Sequence, residues 1–209
     1  MGMGLNKNTA KEILNNLDAK TLGSIFRLLG EEKEGFRISK NILRERKLNP
    51  IKTIPDLVKI IQKCKKKNFK KKTNISTQVF QALRIFVNKE ITELIEGLII
   101  ATKILKENGK IVVVTFHSLE DKIVKFFFTN FSSNKSKTSR YYPESKDKKT
   151  LFKNYKNKVI KPDLKELQEN NPSRSAKLRH AIRSNHNFTY PEEFKKKFLH
   201  YLELEKINV

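Results

Sequence analysis

The stretch Lys110-Ile-Val-Val-Val-Thr-Phe-His-Ser-Leu-Glu-Asp121 decides how the rest of the chain is interpreted. Its first half, Ile111 to Val114, is an unbroken run of β-branched residues that follows Gly109. Such a run is too short for an independent helix and is typical of a strand buried on both faces, as in parallel sheets. The run therefore predicts a central strand of an α/β sheet.

A helix is predicted directly after this strand. Ser118 is a suitable N-cap with Asp121 three residues later, and the apolar residues that follow at helical spacing are Leu119, Ile123, Phe126 and Phe127. His117 then lies at the carboxyl end of the strand, where open α/β sheets bind their ligands. His117 is therefore the candidate catalytic residue, and a structural role at this corner is the open alternative.

The charge of the chain predicts a polyanionic partner. The 209 residues carry 45 Lys+Arg against 22 Asp+Glu, a formal net charge of +23. Nucleic acid is favoured over an acidic membrane face, because there is no apolar run near eighteen residues and no secretory leader. The alternative explanation of this charge is that the lysine enrichment is partly compositional drift. The single cysteine, Cys64, excludes an internal disulfide and fits a reducing cytosol, so a cytoplasmic location is expected.

Residues 1–75 are predicted to form a small all-helical domain with a basic linker. Four short helices are expected between residues 9 and 64, the first opened by Thr9 with Glu12, the second by Asp18 and the fourth by Thr53 with Asp56. The third helix has three candidate core residues, Phe36, Ile38 and Ile42. In the run from Lys65 to Lys72, Lys70 and Lys71 are candidate RNA contacts, and a solvated linker is the alternative.

Residues 76–209 are predicted to form the α/β part of the chain. Residues 132–158 read as a mobile basic insertion, in which Tyr141, Tyr142, Phe152 and Tyr155 either stack on bases or anchor the loop. A short strand is expected at Val159-Ile160. Another strand begins near Ala176 and has one basic face, formed by Lys177, Arg179 and Arg183.

Arginine side chains add further candidate RNA contacts. Arg84 and Arg174, together with Lys177 and Arg179, are predicted to bind phosphates or stack on bases, because guanidinium groups offer a planar fork of donors. For Arg84, a salt bridge that orients its own helix is the equally favoured alternative.

Several kinds of site are excluded by the sequence. The four histidines are not spaced as metal ligands, and a single cysteine does not complete a ligand set, so no metal site is expected. The chain has no Gly-x-Ser-x-Gly, Walker-type or Gly-x-Gly-x-x-Gly motif. None of its seven glycines follows a predicted strand as a nucleotide-binding turn requires, so no cofactor-binding residue is predicted.

Four motifs in order carry a resemblance to a known family: Gly30-Glu-Glu32, Phe80-Gln-Ala-Leu-Arg-Ile85 with Val87-Asn88, Thr115-Phe-His-Ser-Leu-Glu-Asp121, and Asn171-Pro-Ser-Arg-Ser-Ala-Lys-Leu-Arg179. Together they closely resemble the ribosomal RNA small subunit methyltransferase H family, also called MraW. The resemblance implies S-adenosylmethionine-dependent methylation of the N4 amine of a cytosine in 16S ribosomal RNA. It also implies a Rossmann-like methyltransferase domain, interrupted by a small helical substrate domain. On this basis residues 76–209 correspond to the second half of the catalytic domain.

The chain departs from the family pattern in two places. The family's Gly-rich cofactor turn, acidic ribose binder and segment nearest the reacting amine precede the helical insert, and Met1-Gly-Met-Gly4 resembles the trailing edge of that half. Asn74-Ile-Ser-Thr-Gln78 stands where the family usually has His-Pro-Ala-Thr-Arg. The chain alone is therefore expected to bind the cofactor poorly and to be inactive.

Three alternatives follow for how the chain works with the small ribosomal subunit. It is one part of a methyltransferase that includes an upstream segment, a non-catalytic RNA- or ribosome-binding module, or one half of a split enzyme completed by another chain. A homodimer is a further way to complete the fold. A membrane is not an expected partner.

Overall fold

The structure, a computed structural model, describes residues 9–65, 74–132, 150–153 and 155–208. Contacts divide the chain into two compact units, one of Met1–Thr92 with His200–Val209 and one of Glu93–Leu199. This division does not coincide with the predicted boundary at residue 75, because a helix of residues 77–88 packs with the first unit.

Five helices lie in the described part of the first unit: α1 (Ala10–Asn16), α2 (Ala19–Leu28), α3 (Gly35–Leu48), α4 (Ile54–Cys64) and α5 (Thr77–Asn88). The predicted capping boxes are confirmed at Thr9, with Glu12, and at Thr53, with Asp56. Asp18 also caps as predicted, since its carboxylate accepts from the backbone N–H groups of Lys20 and Thr21. Local hydrogen bonding therefore sets where these helices begin.

The predicted apolar spacing defines the core of the first unit. Most of the predicted residues are buried, among them Leu22, Ile25, Phe26, Ile38, Ile42, Leu57, Ile60, Ile61 and Cys64. The prediction for Phe36 is wrong, because 40% of this residue is exposed. Its ring lies over Gly23, where an added Cβ would be 2.3 Å from Phe36 Cδ1. Phe36 thus covers the outside of the α2–α3 contact.

The second unit contains a small sheet within a mainly helical fold. In chain order its elements are α6 (Glu90–Ile104), which begins in the first unit, β1 (Lys110–Thr115), α7 (Ser118–Asn130), α8 (Leu164–Glu169), a 3-10 helix (Asn171–Ser175), β2 (Lys177–Ile182) and α9 (Glu192–Glu205), which ends in the first unit. The α/β character is confirmed in this coarse form. The predicted strand at Val159-Ile160 is reduced to a single bridge between Ile160 and Leu178.

The predicted environment of the central strand is wrong for the described residues. β1 pairs antiparallel with β2, from Lys110 opposite Ile182 to Thr115 opposite Lys177. Ile111 and Thr115 are buried on the side of α7, whereas 56% of Val112 is exposed on the other side. The β-branched run was predicted to be covered on both faces, but among the described residues only one face is covered.

Phenylalanine side chains form the core of the second unit. Phe127 is fully buried, and its ring centroid lies 4.5 Å from that of Phe194 and 5.5 Å from that of Phe152. Phe152 and Tyr155 are both buried, which confirms the anchoring alternative for these two aromatics. Tyr141 and Tyr142 lie outside the described residues, as does most of the predicted insertion at residues 132–158.

None of the helices that the structure describes combines the length and the apolar character needed to cross a membrane.

Candidate functional site

The carboxyl end of β1 is organised by a reciprocal cap between His117 and Glu120. The N-cap of α7 is His117, not Ser118 as predicted, and its Nδ1 accepts a hydrogen bond from the Glu120 N–H at 3.4 Å. In return, Glu120 Oε2 accepts from the Phe116 N–H at 2.9 Å and from the His117 N–H at 3.3 Å. The imidazole therefore fixes the strand–helix corner, as the structural alternative for His117 required.

The second imidazole nitrogen is placed differently from the first. His117 Nε2 lies 3.3 Å from Glu120 Oε1, yet it is buried and has no hydrogen bond among the described residues. Burial by itself would raise the pKa of Glu120. The contact with the His117 imidazole and the hydrogen bonds from the backbone N–H groups of Phe116 and His117 outweigh burial, so the pKa of Glu120 lies below its ordinary value. Glu120 is thus held as a carboxylate at this corner.

Asp121 is the centre of an ion-pair network rather than part of the cap. Its carboxylate accepts from Arg179 Nε at 2.6 Å and Nη2 at 3.2 Å, and from Lys177 Nζ at 3.0 Å. Arg179 Nη1 donates to Tyr155 Oη at 3.0 Å and to Asn157 Oδ1 at 3.1 Å. The network joins α7, β2 and the segment that precedes β2.

The electrostatics of this network keep both central groups charged. Burial opposes ionisation of Asp121, but the hydrogen bonds and charges of Arg179 and Lys177 hold its pKa below the ordinary value. Burial also opposes the charge of Arg179, whose pKa is nevertheless raised by the hydrogen bonds with Asp121 and Tyr155. A buried, bidentate pair of this kind is costly to break, because removing one partner leaves a buried charge.

This geometry changes the interpretation of the basic strand. The strand itself is confirmed as β2, but the face that carries Arg179 and Arg183 points inward, and only 4% of Arg179 is exposed. Arg183 donates to the carbonyl oxygens of Leu151 and His186. The predicted phosphate contact of Arg179 therefore has no exposed donor, and its guanidinium serves the interior. The alternating pattern predicts a strand but does not tell which face is buried.

Exposed or half-exposed cations lie near the carboxyl end of β1 in the described part of the chain, and we call three of them, Lys161, Arg174 and Lys177, the basic surface. Lys177 lies opposite Thr115 at the end of β1. Ile160 bridges to Leu178 in the antiparallel sense, which places Lys161 opposite Lys177. Arg174 is exposed in the 3-10 helix just before β2, with one bond of 3.5 Å to the Asn171 carbonyl. Sequence reasoning missed Lys161, because its position opposite Lys177 follows only from the bridge between Ile160 and Leu178.

The other predicted RNA contacts lie elsewhere. Arg84, in the first unit, forms a two-pronged salt bridge with Glu90, with Nε–Oε1 at 2.9 Å and Nη2–Oε2 at 3.1 Å. This salt bridge is the predicted alternative for Arg84. Lys70 and Lys71 lie outside the described residues.

The Gly30-Glu-Glu32 motif has a structural explanation in the first unit. An added Cβ at Gly30 would lie 2.3 Å from the Gln78 carbonyl oxygen, so glycine permits close contact between α2 and α5. Glu32 is 2% exposed and forms a 2.5 Å ion pair with Lys65, whose Nζ also donates to the Ile75 carbonyl. Sequence reasoning missed this buried pair, since its members lie 33 residues apart.

Comparison with known proteins connects this site to a family. Residues 1–184 match the model of the MraW methylase family. Three similar curated proteins are each called ribosomal RNA small subunit methyltransferase H. The Agrobacterium fabrum protein is 41% identical over 88% of this chain and 54% of its own length. The Bartonella grahamii protein is 42% identical over 84% and 53%, and the Roseobacter denitrificans protein 40% identical over 88% and 56%.

The chain therefore spans about half the length of the curated relatives that it matches. The match ends at residue 184 and includes β1, the capped start of α7, the ion-pair network and the whole of β2. It does not include α9. Because the family model matches far more than half of the chain, the chain belongs to the MraW methylase family.

Proposed function

We propose that this chain is part of an S-adenosylmethionine-dependent methyltransferase that acts in the cytoplasm on the N4 amine of a cytosine in 16S ribosomal RNA. Family membership and the name of its relatives, which specifies small-subunit ribosomal RNA, support the reaction and the substrate. The observation that carries the proposal is the basic surface beside the His117 corner, at the carboxyl end of β1.

The role of the basic surface is to hold the RNA backbone. Phosphate contacts fix the position of an RNA on a protein without reading its sequence, and they are the main source of affinity. Arg174 is suited to this role, because it is exposed and, among the described residues, its guanidinium makes one long hydrogen bond of 3.5 Å, to the Asn171 carbonyl. Lys177 contributes charge at the same place, although its ammonium group also pairs with Asp121.

The role of His117 is positioning. A base must leave its stack before an exocyclic amine can reach a methyl donor in a pocket. The N4 amine is a weak nucleophile, so correct placement matters more than a strong base. With Nδ1 bound to the Glu120 N–H and Nε2 buried 3.3 Å from Glu120 Oε1, the imidazole is held rigidly, and it would position a base by fixing the strand–helix corner.

The residues that the structure describes do not fit a complete S-adenosylmethionine site. In this part of the chain no glycine follows β1, and the two carboxylates nearest its end are engaged, Glu120 with backbone N–H groups and Asp121 with Arg179 and Lys177. A ribose-binding site needs an available carboxylate, and a cofactor turn needs a close backbone approach. We therefore assign no chemical step to the cofactor here.

The same observation favours a second candidate function. A chain that binds RNA but lacks a complete cofactor site would act as a non-catalytic RNA-binding module, or as one half of a split enzyme. Both alternatives keep the basic surface, and they differ from the first only in whether methyl transfer occurs when a cofactor-binding part is supplied. Methyl transfer to 16S RNA by the complemented chain would distinguish an enzyme part from a binding module.

RNA binding is tested first. The salt dependence of affinity for a 16S RNA fragment is measured for the parent chain and for the variant Lys161→Ala/Arg174→Ala/Lys177→Ala. Each lost phosphate contact lowers the log–log salt slope by about 0.7 on single-stranded RNA, so a reduction of about 2 is expected. Arg174→Lys separates the geometry of the guanidinium from its charge.

The control removes the same charge from the exposed lysines Lys103, Lys196 and Lys197 of the second unit. This control variant should keep a salt slope closer to that of the parent chain. If both triple variants lose the same slope, the basic surface has no special role and only net charge matters. An affinity that is independent of salt would contradict RNA binding by this chain.

A further inference from the structure

The outer face of α3 carries a row of basic side chains in the first unit. Its inner face packs against α2 and α4, with Ile38 and Ile42 fully buried. The exposed side is occupied by four cations at successive spacings of three, four and three residues, which place side chains on one face of a helix. We call these four residues the basic stripe: Arg37, Lys40, Arg44 and Lys47.

The basic stripe is not neutralised within the described part of the chain. None of its four side chains forms a salt bridge or a hydrogen bond with another described residue. Glu45, the one carboxylate of α3, instead binds Lys63 of α4 at 2.6 Å. The fifth cation of α3, Arg46, donates to the carbonyl oxygens of Leu14 and Leu17 at 2.8 and 2.7 Å. The fold thus uses one cation of α3 and leaves four to the solvent.

Helix stability alone does not account for this arrangement. Exposed helices are stabilised by opposite charges three or four residues apart, and like charges at those spacings are unfavourable. The basic stripe contains three successive like-charged pairs of this kind. Arg37 also lies in the first turn of α3, where the helix dipole disfavours a cation, and of the four only Lys47 lies in the last turn, where a cation is favoured. An anionic partner would remove the repulsion.

The form and chemistry of the basic stripe favour a paired RNA over a single strand. The stripe extends for about 15 Å, the rise of ten helical residues, and its side chains are all cations. Double-stranded RNA is recognised by its shape, through phosphates and 2′-hydroxyl groups, whereas single strands are bound by stacking on aromatic rings. The one aromatic residue of α3 is Phe36, whose ring already lies over Gly23.

An acidic lipid surface fits the stripe less well. A helix that lies on a membrane inserts an apolar face beside its basic face. The apolar face of α3 is buried within the unit, and its exposed large apolar residues are Phe36 and Leu48, at opposite ends of the helix. Charge could attract α3 to lipid, but the helix has no continuous apolar face available to insert.

We propose that the basic stripe of α3 binds the phosphate backbone of a paired segment of 16S ribosomal RNA. The inference rests on the proposed function, in which 16S RNA is the partner of the chain. It adds a contact on the first unit to the one proposed at the basic surface of the second unit. The two contacts differ in kind, because a cytosine must leave its stack before its amine can react, whereas the stripe binds RNA that stays paired.

The probe is an RNA duplex of about 16 base pairs, compared with one of its single strands. The test variant is Arg37→Gln/Lys40→Gln/Arg44→Gln/Lys47→Gln, because glutamine is a good helix former and keeps the surface polar. Between about 50 and 200 mM salt, the parent chain should lose roughly 50-fold more duplex affinity than the variant, as expected for four phosphate contacts. The variant should unfold at no lower denaturant concentration than the parent chain, because it relieves like-charge repulsion.

The matched control is Lys11→Gln/Lys20→Gln/Lys52→Gln/Lys206→Gln, which removes four exposed charges of the same unit from separate elements. Its affinity for the duplex should depend on salt nearly as that of the parent chain does. Equal losses in the two fourfold variants would overturn the inference, and so would a parent chain that does not bind the duplex. A test variant that loses affinity only for the single strand, or only for anionic phospholipid vesicles, would overturn it as well.

Two further variants keep the inference testable. Each single glutamine substitution in the stripe should lower the log–log salt slope on the duplex by about 0.7–0.9, so the result does not depend on the folding of the fourfold variant. Lys161→Ala/Arg174→Ala/Lys177→Ala should weaken binding of single-stranded 16S RNA and keep duplex affinity. A failure of the proposed contact at the basic surface is thereby distinguished from a failure of the contact at the basic stripe.

Discussion

Glu120 and Asp121 are sequence neighbours with different roles, and the difference comes from their partners. Glu120 binds N–H groups within four residues, which a capping pattern can predict. Asp121 binds Lys177 and Arg179, which are 56 and 58 residues away. The sequence predicted a capping pair at the start of α7, but it assigned the cap to Ser118 and Asp121 instead of His117 and Glu120. Contacts of such long range are decided by tertiary packing.

The first prediction concerns Asp121→Asn. Asparagine keeps a hydrogen-bond acceptor but leaves Arg179 as a buried cation without its counter-charge, so the free energy of unfolding should fall by about 3 kcal/mol. Chemical denaturation at neutral pH measures this loss. As control, Asp163→Asn changes an exposed N-cap and should cost less than about 1 kcal/mol.

The pH dependence of the same pair has a definite sign. Because the pKa of Asp121 is lowered in the folded state, its contribution is present above the ordinary aspartate pKa of about 4 and is lost as the pH falls through the lowered value. The parent chain should therefore lose more stability on acidification than Asp121→Asn does. Parallel acid-induced losses in the two proteins would contradict the assigned role of the ion pair.

The second prediction concerns Glu205, a buried carboxylate in the first unit. It accepts from the N–H groups of Ile91 and Thr92 at 3.1 and 2.8 Å, and from Thr92 Oγ1 at 2.6 Å. Burial raises its pKa despite these hydrogen bonds. The stabilising effect of its protonation is therefore full below the ordinary glutamate pKa and is lost as the pH rises through the raised value.

Glu205→Gln should remove this part of the pH dependence while it keeps an acceptor for the start of α6. Glu205→Ala removes the acceptor too and should lower the free energy of unfolding by about 1–2 kcal/mol at neutral pH. Denaturation curves between about pH 4 and 8, the range in which a carboxyl group with a raised pKa titrates, measure both effects. A glutamine variant with the same pH profile as the parent chain would exclude Glu205 as the titrating group.

At the scale of elements, the sequence predicted what local interactions determine. The starts of α1, α2 and α4 follow from the caps at Thr9, Asp18 and Thr53, and these predictions are confirmed. The faces of β1 and β2 were not predictable in the same way. A β-branched run and an alternating basic pattern both indicate a strand, but which side is covered depends on α7 and on elements distant in sequence.

The third prediction tests the corner between β1 and α7. Asparagine is a good N-cap, so His117→Asn should retain the stability of the parent chain, whereas His117→Ala should lose about 1 kcal/mol. If the imidazole also holds a base, His117→Asn should bind a 16S RNA fragment with an unpaired cytosine about fivefold more weakly, which corresponds to about 1 kcal/mol. Equal RNA affinity of the parent chain and the asparagine variant would remove His117 from the proposed site and leave it only the cap.

At the scale of the whole molecule, the charge indicates a chain that binds other molecules. The formal net charge of +23 supports binding to a polyanion. The family resemblance could be predicted from four sequence motifs, and the family match confirms it. The way in which β1 is covered could not be predicted from this chain, since its described residues cover only one side.

The last prediction concerns the cofactor. The carboxylates at the end of β1 are already used, Glu120 by the cap and Asp121 by its cations, so the described part of the chain has no free acidic group there for ribose hydroxyls. Calorimetry with the purified chain should therefore detect no saturable binding of S-adenosylmethionine at micromolar concentrations. When the unmatched part of the Agrobacterium fabrum relative is supplied as a separate polypeptide, binding should appear. Micromolar binding by the chain alone would refute the argument from occupied carboxylates and would require a cofactor site outside the corner at His117.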